Sequence, residues 1–162
     1  MIDLVAFGVV LLVVVAIMIR KTSAGVAVLG LLAGVMLDQL LGSWLISLLP
    51  TEAAGLSEYV PVIIHLLVTF VPVGVSITAV KAAKHNPILS LLTSLVLGFL
   101  IVFFGLKIVA PLPVVNEAAK NSGLFHFLDP YQNLILSASA VLAIAEMVLS
   151  HRIKSDDKKK KK

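Results

Sequence analysis

YVPVIIHLLVTFVPVGVSITAVKAAK, residues 59–84, contains an apolar run that is long enough to cross a bilayer. About 20 helical residues, rising about 1.5 Å each, cover a hydrocarbon core about 30 Å thick. His65 lies in the first half of this run, Pro72 and Gly74 lie near its middle, and lysines occur only at its end. The stretch therefore predicts a membrane-spanning helix, and we expect the other helices to pack around it.

The composition of the whole chain agrees with this interpretation. Of the 162 residues, 59% are hydrophobic and 14% are charged, whereas a soluble domain has about 45–50% apolar and about 25% charged residues. We therefore expect an integral membrane protein without a second, soluble domain. The sequence contains no cysteine, which excludes disulfides, thiolate metal sites and a cysteine nucleophile.

Four further apolar runs predict an all-α fold, a polytopic membrane bundle of five transmembrane helices. The predicted helices are about 2–19, 24–41 (with 49 as an alternative end), 60–80, 87–110 and 131–150. Residues 151–162 form a polybasic tail that is too charged to fold alone. With the N-terminus outside, all but two of the 13 Lys and Arg residues fall on the cytoplasmic side, the exceptions being Lys107 and Lys120. Since cytoplasmic segments carry the excess of Lys and Arg, we predict that the C-terminus is cytoplasmic.

Two ridges of small residues predict where helices approach each other closely. Gly30, Gly34, Asp38 and Gly42 recur every four residues, so they share one helix face, and Asp38 should face protein rather than lipid. The second ridge, expected to pack on the second or third helix, consists of Asn86, Ser90, Ser94 and Gly98. Any part of a ridge not used internally would face a partner membrane protein or a second copy of the chain.

Asp38 and His65 form a candidate intramembrane polar pair. His65 begins a polar or small stripe on the third helix, continued by Thr69, Pro72 and Ser76. At about 1.5 Å per residue, Asp38 lies about 4–5 Å and His65 about 7–8 Å outward from the centres of their helices. Matched depth on adjacent helices motivates the hypothesis that the two side chains meet. Such a pair could lock the hairpin or relay protons, while a hydrated, idle Asp38 near the interface is the alternative.

Three other residues also have expected roles, and for one of them, Pro72, a structural and a functional interpretation are both open. Pro72 with Gly74 nearby predicts either a static kink or a hinge in the third helix. Glu146 is expected to be an interfacial acid paired with His151 and Arg152. Lys107 is expected to extend to the outer interface.

The sequence lacks the signatures of an enzyme or a cofactor protein. It has no His-Glu-x-x-His, no Gly-x-Ser-x-Gly, no P-loop and no paired intramembrane aspartates, and its four histidines are scattered. We predict no catalytic, cofactor-binding or metal-binding residues. The net charge of +4 lies at helix ends and in the tail rather than on a folded basic face, so nucleic acid is not expected. The tail lysines Lys158–Lys162 should attract anionic lipid headgroups, at about 1 kcal/mol each near the surface.

Residues 1–110 resemble the colicin V production protein family of small bacterial inner-membrane proteins. The similarity consists of Asp3 at the start of the first helix, a basic turn leading directly into a Gly-rich second helix, and the ridge that begins at Asn86. The family favours glycine where Ser90 and Ser94 stand here, and it usually has four spans. The resemblance implies a non-enzymatic protein linked to toxin production or envelope maintenance, with no catalytic residues to carry over.

Taken with the composition, these features predict an accessory or scaffold protein of the bacterial cytoplasmic membrane. The alternative is a small transporter or channel subunit that uses Asp38, His65 and a hinge at Pro72. A water-accessible cavity around Asp38, His65 and Thr69 would favour transport. A dry bundle with Asp38 bonded directly to His65 would favour the scaffold.

Overall fold

A computed structural model describes residues 2–20, 22–48, 59–79, 87–113, 115–116 and 122–159. The helices are α1 (Ile2–Arg20), α2 (Ala24–Ser47), α3 (Tyr59–Ala79), α4 (Pro87–Val109), α5 (Gly123–Leu128) and α6 (Gln132–Lys159). A 3-10 turn, Asp129–Tyr131, joins α5 to α6. The predicted acidic loop 51–58, the basic turn 81–86 that includes Asn86, and the last three lysines lie outside the described residues.

The all-α class predicted from composition is confirmed for the described residues, which are almost entirely helical. Four stretches are long and apolar enough to cross a membrane, namely Ala24–Ser47, Tyr59–Thr78, Ile88–Val109 and His126–Leu149. α1 contributes a shorter apolar stretch, Asp3–Ile19. These lengths are compatible with a membrane protein, while the fifth span and the orientation of the termini stay predictions.

Two helices extend beyond the shorter of their expected lengths. α2 continues to Ser47, between the two ends expected at residues 41 and 49, because no proline interrupts the segment before Pro50. α6 continues to Lys159, so much of the tail predicted to be unfolded is helical. Extending an existing helix avoids the costly nucleation step, and Lys and Arg are good helix formers. The charged segment is therefore helical as a continuation of α6.

α2 and α4, rather than α3, are the helices around which the others pack. α2 contacts α3, α4 and α6, and α4 contacts α1, α2, α3 and α6. Of the 18 most apolar consecutive residues of each helix, 44% are buried in α2 and in α4, against 17% in α3. Small side chains allow α2 to accept several neighbours, and its fully buried residues include Ala24, Ala27, Val28 and Leu31. The expectation that the others surround the third helix is therefore wrong.

The contact between α2 and α3 depends on the first ridge of small residues. A Cβ atom added at Gly34 would overlap the backbone carbonyl of Thr69. A Cβ at Gly30 would lie 2.9 Å from the carbonyl oxygen of Pro72 and would also overlap the hydroxyl of Ser76. The glycine ridge of α2 therefore lies directly against the polar stripe of α3.

The second ridge has a different neighbour from the expected one at its glycine end. A Cβ at Gly98 would lie 3.1 Å from the Cα of Val10, so this part of α4 packs on α1 rather than on α2 or α3. Ser94 is fully buried, and its hydroxyl donates to the carbonyl of Ser90 at 2.7 Å. That internal bond satisfies the hydroxyl within α4.

Candidate functional site

The Asp38 and His65 side chains are in direct hydrogen-bond contact. His65 Nδ1 lies 2.6 Å from Asp38 Oδ1, and the two side chains are 19% (Asp38) and 32% (His65) exposed. This distance is that of a hydrogen bond, and Nε2 is the second polar atom of the ring. The contact that matched depth suggested is present, and its role as lock or relay stays a prediction.

Gly42 provides the space that this pair needs. A Cβ atom at Gly42 would lie 2.8 Å from Asp38 Oδ1 and 2.9 Å from His65 Nδ1. Both distances are shorter than Cβ contacts in real structures, so a larger residue would displace one of the two side chains. The sequence showed Gly42 as part of the ridge, but not that it makes room for a charged pair.

The pair forms one wall of a pocket of about 330 Å³, which we call the Asp38–Lys107 pocket. Thr69, one helical turn beyond His65, is buried and also lines it. The remaining lining residues are Val35, Gln39, Phe104, Lys107, Ile108, Pro111 and Gln132. The pocket therefore combines a hydrogen-bonded carboxyl–imidazole pair, two amides and an ammonium group with an apolar wall.

Lys107 connects α4 to the beginning of α6. Its Nζ donates to Gln132 Oε1, lies 3.4 Å from Asp129 Oδ1, and sits 5.8 Å from the ring centroid of Phe103. The sequence predicted only that Lys107 extends to the interface. The contacts with Asp129 and Gln132 were missed because these residues are more than 20 positions away along the chain, and no local pattern predicts such a contact.

Pro72 lies inside α3, which continues as one helix on both sides of it. The Ser76 hydroxyl donates to the Pro72 carbonyl at 2.7 Å. Gly74 faces outward, and a Cβ atom there would meet nothing within 4 Å. Whether this segment is a static kink or a hinge stays a prediction.

Glu146 is buried between α6 and the beginning of α2, and its expected position at the membrane interface stays a prediction. A Cβ atom at Gly25 would lie 3.1 Å from Glu146 Oε2, and the Ser23 hydroxyl lies 3.5 Å from Glu146 Oε1. Ser23 occupies the N-cap position of α2 without a side-chain capping bond. The side chains of the predicted partners, His151 and Arg152, lie outside the described part of the structure.

Asp38 and His65 are two potential ligands, and within the described ranges no third His, Cys, Asp or Glu completes a metal-binding group. The pocket is therefore better described as a polar site with charges of both signs.

Comparisons with known proteins provide no relative for this chain. No protein family model, curated protein or solved structure matches it. The resemblance to colicin V production proteins stays a prediction, and the function has to be argued from the contacts described above.

Proposed function

We propose that this protein is a non-enzymatic accessory or scaffold protein of the bacterial cytoplasmic membrane, with five spans, an outside N-terminus and a cytoplasmic C-terminus. The observation that carries the proposal is the direct Asp38–His65 bond at the closely packed boundary of α2 and α3. A scaffold has to present one fixed surface to its partner. A polar pair on adjacent helices favours a single register between them.

The glycine contacts support the same interpretation. Gly30 and Gly34 bring the backbones of α2 and α3 together, so a sliding or rotating motion between them would produce steric overlap. The apolar outer faces of α1 and α3 remain available to lipid, to a partner membrane protein or to a second copy of the chain. A link to toxin production or envelope maintenance rests on the family resemblance alone.

A small transporter or channel subunit is the second candidate. The observation that favours it is the Asp38–Lys107 pocket of about 330 Å³, which contains Asp38, His65 and Thr69. Ionisable groups within membrane segments commonly mark ion or substrate pathways. The two candidates differ in a measurable way, because only a transporter moves protons or solutes across the bilayer.

Flux measurements in proteoliposomes distinguish these candidates. For the accessory protein, we expect the wild type and Asp38→Asn to give the same proton flux as protein-free liposomes, measured with an enclosed pH-sensitive dye. Asp3→Asn serves as the control for losing a carboxylate outside the pocket. A wild-type flux above background that is reduced in Asp38→Asn and retained in Asp3→Asn would establish transport and contradict the accessory role.

The proposed topology can be tested by cysteine labelling, because the sequence contains no cysteine of its own. We expect an impermeant maleimide to label Ile2→Cys and Ser57→Cys in spheroplasts, and to label Ser155→Cys only after permeabilisation. Labelling of Ser57→Cys with protection of Ile2→Cys would show that α1 does not cross the membrane. Labelling of Ser155→Cys before permeabilisation would contradict a cytoplasmic C-terminus.

A further inference from the structure

We propose that the Asp38–Lys107 pocket binds a small zwitterion with an apolar body, of the α-amino acid class. This inference does not depend on the accessory role, because a protein can bind such a ligand with or without transporting it. It rests on the placement of charges, amides and apolar side chains around one pocket.

The pocket contains two opposite charges that are not paired with each other. Asp38 on α2 bonds to His65 through Oδ1, and Lys107 on α4 bonds to Gln132 and lies near Asp129. Among the described residues, Asp38 Oδ2 has no hydrogen-bond partner. An ammonium group has three donors, so Lys107 retains capacity after its two contacts. The pocket can therefore accept a hydrogen bond from a cation and donate one to an anion.

Ligands with a single charge suit this arrangement poorly. An anion placed against Lys107 would face the Asp38 carboxylate across the pocket, and a cation placed against Asp38 would face the Lys107 ammonium. An apolar ligand would remove water from both charges without replacing its hydrogen bonds, which is costly. A zwitterion matches both groups, and charge-assisted hydrogen bonds are stronger than neutral ones.

The remaining lining residues fit a ligand of modest size with an apolar part. Small-molecule sites usually have volumes of about 300–1,000 Å³, so the pocket of about 330 Å³ lies at the lower end. Val35, Phe104 and Ile108 provide an apolar wall, while the amides of Gln39 and Gln132 can donate and accept hydrogen bonds. An amino acid with an aliphatic side chain has the required combination of groups.

Two sources could supply this chemistry, namely a free amino acid and the headgroup of phosphatidylethanolamine. Both carry an ammonium and an anionic group close together on an apolar body. The experiment must therefore separate a dissolved ligand from a lipid.

The test uses the full-length protein in dodecyl maltoside and measures the affinity of three probes by isothermal titration calorimetry. L-leucine carries both charges, leucine methyl ester carries only the ammonium, and 4-methylpentanoate carries only the carboxylate. We expect L-leucine to bind at least tenfold more tightly than either single-charge probe. We also expect Asp38→Asn and Lys107→Gln each to weaken L-leucine binding by about tenfold, the loss of about 1.4 kcal/mol. Asp3→Asn, outside the pocket, should bind as the wild type does.

A second arm assigns the source. In nanodiscs of phosphatidylglycerol and of phosphatidylethanolamine, equal L-leucine affinity would identify a free zwitterion, and weaker binding in phosphatidylethanolamine would identify the lipid headgroup. Both results support the proposed chemistry. Equal affinity for all three probes, absence of L-leucine binding in both detergent and phosphatidylglycerol, or unchanged binding in both pocket variants would overturn it. The probe comparison needs only the wild type, so a misfolded variant does not prevent a decision.

Discussion

Gly34→Ala is expected to destabilise the bundle more than the same glycine-to-alanine change at any other glycine of α2 or α3. The new Cβ atom would overlap the Thr69 carbonyl, which belongs to the backbone of α3 and cannot rotate away as a side chain can. Relief requires moving one helix away from the other. Overpacking costs about 1–3 kcal/mol, and we expect a value of about 3 kcal/mol here because backbone meets backbone. The loss is measured as the difference in the free energy of unfolding between wild type and variant in mixed dodecyl maltoside and SDS micelles.

Gly74→Ala is the matched control for that substitution. It makes the same chemical change in a neighbouring helix, but its Cβ would meet nothing within 4 Å. Since glycine is about 1 kcal/mol less favourable than alanine in a helix interior in water, Gly74→Ala should leave stability unchanged or raise it slightly. Equal destabilisation by both variants would show that the Gly34 contact does not determine how α2 and α3 pack.

A double-mutant cycle on Asp38→Ala and His65→Ala is expected to give a coupling energy of about 1.5–3 kcal/mol, the range for hydrogen bonds to charged groups. The 2.6 Å contact is short, and the side chains are mostly shielded, at 19% (Asp38) and 32% (His65) exposed. Breaking a fully buried pair costs about 3–5 kcal/mol, and partial exposure reduces that figure. The same detergent unfolding assay, applied to both single variants and the double variant, provides the four free energies required.

The Lys107–Asp129 pair provides the comparison within the same molecule. Its atoms are 3.4 Å apart, and its side chains are 42% and 49% exposed. Exposed ion pairs contribute about 0–1 kcal/mol, so its coupling energy should lie below that of Asp38 with His65. If the two cycles give equal coupling, or if the Asp38–His65 coupling is zero, the pair is not the element that locks α2 to α3.

The candidate site was predictable from the sequence only in part. Asp38 and His65 could be matched because each lies on the small or polar face of its helix, and because α2 and α3 follow each other in the chain. Lys107 and Gln132 could not be matched in this way, because they come from α4 and α6 and meet only through the packing of the whole bundle. The pocket needs residues from α2 and α3 together with residues from α4 and α6, so the pairing of α2 with α3 alone could not predict it.

The sequence alone predicted an all-helical chain with five membrane spans, and four of the described helices have the length and apolarity of spans. Those properties are local, since they depend on the number of apolar residues and the rise per residue. It also marked Gly30 and Gly34 as sites of close approach, because a row of small side chains on one helix face lets a neighbouring helix come close. The packed structure was needed to show that α2 and α4 are central, that Gly98 lies against α1, and that opposite charges from α2 and α4 line one pocket. Apolar side chains are satisfied by lipid as well as by protein, so hydrophobicity does not choose a helix's neighbours. That choice depends on steric fit between particular faces, and it becomes visible only when all the helices are packed together.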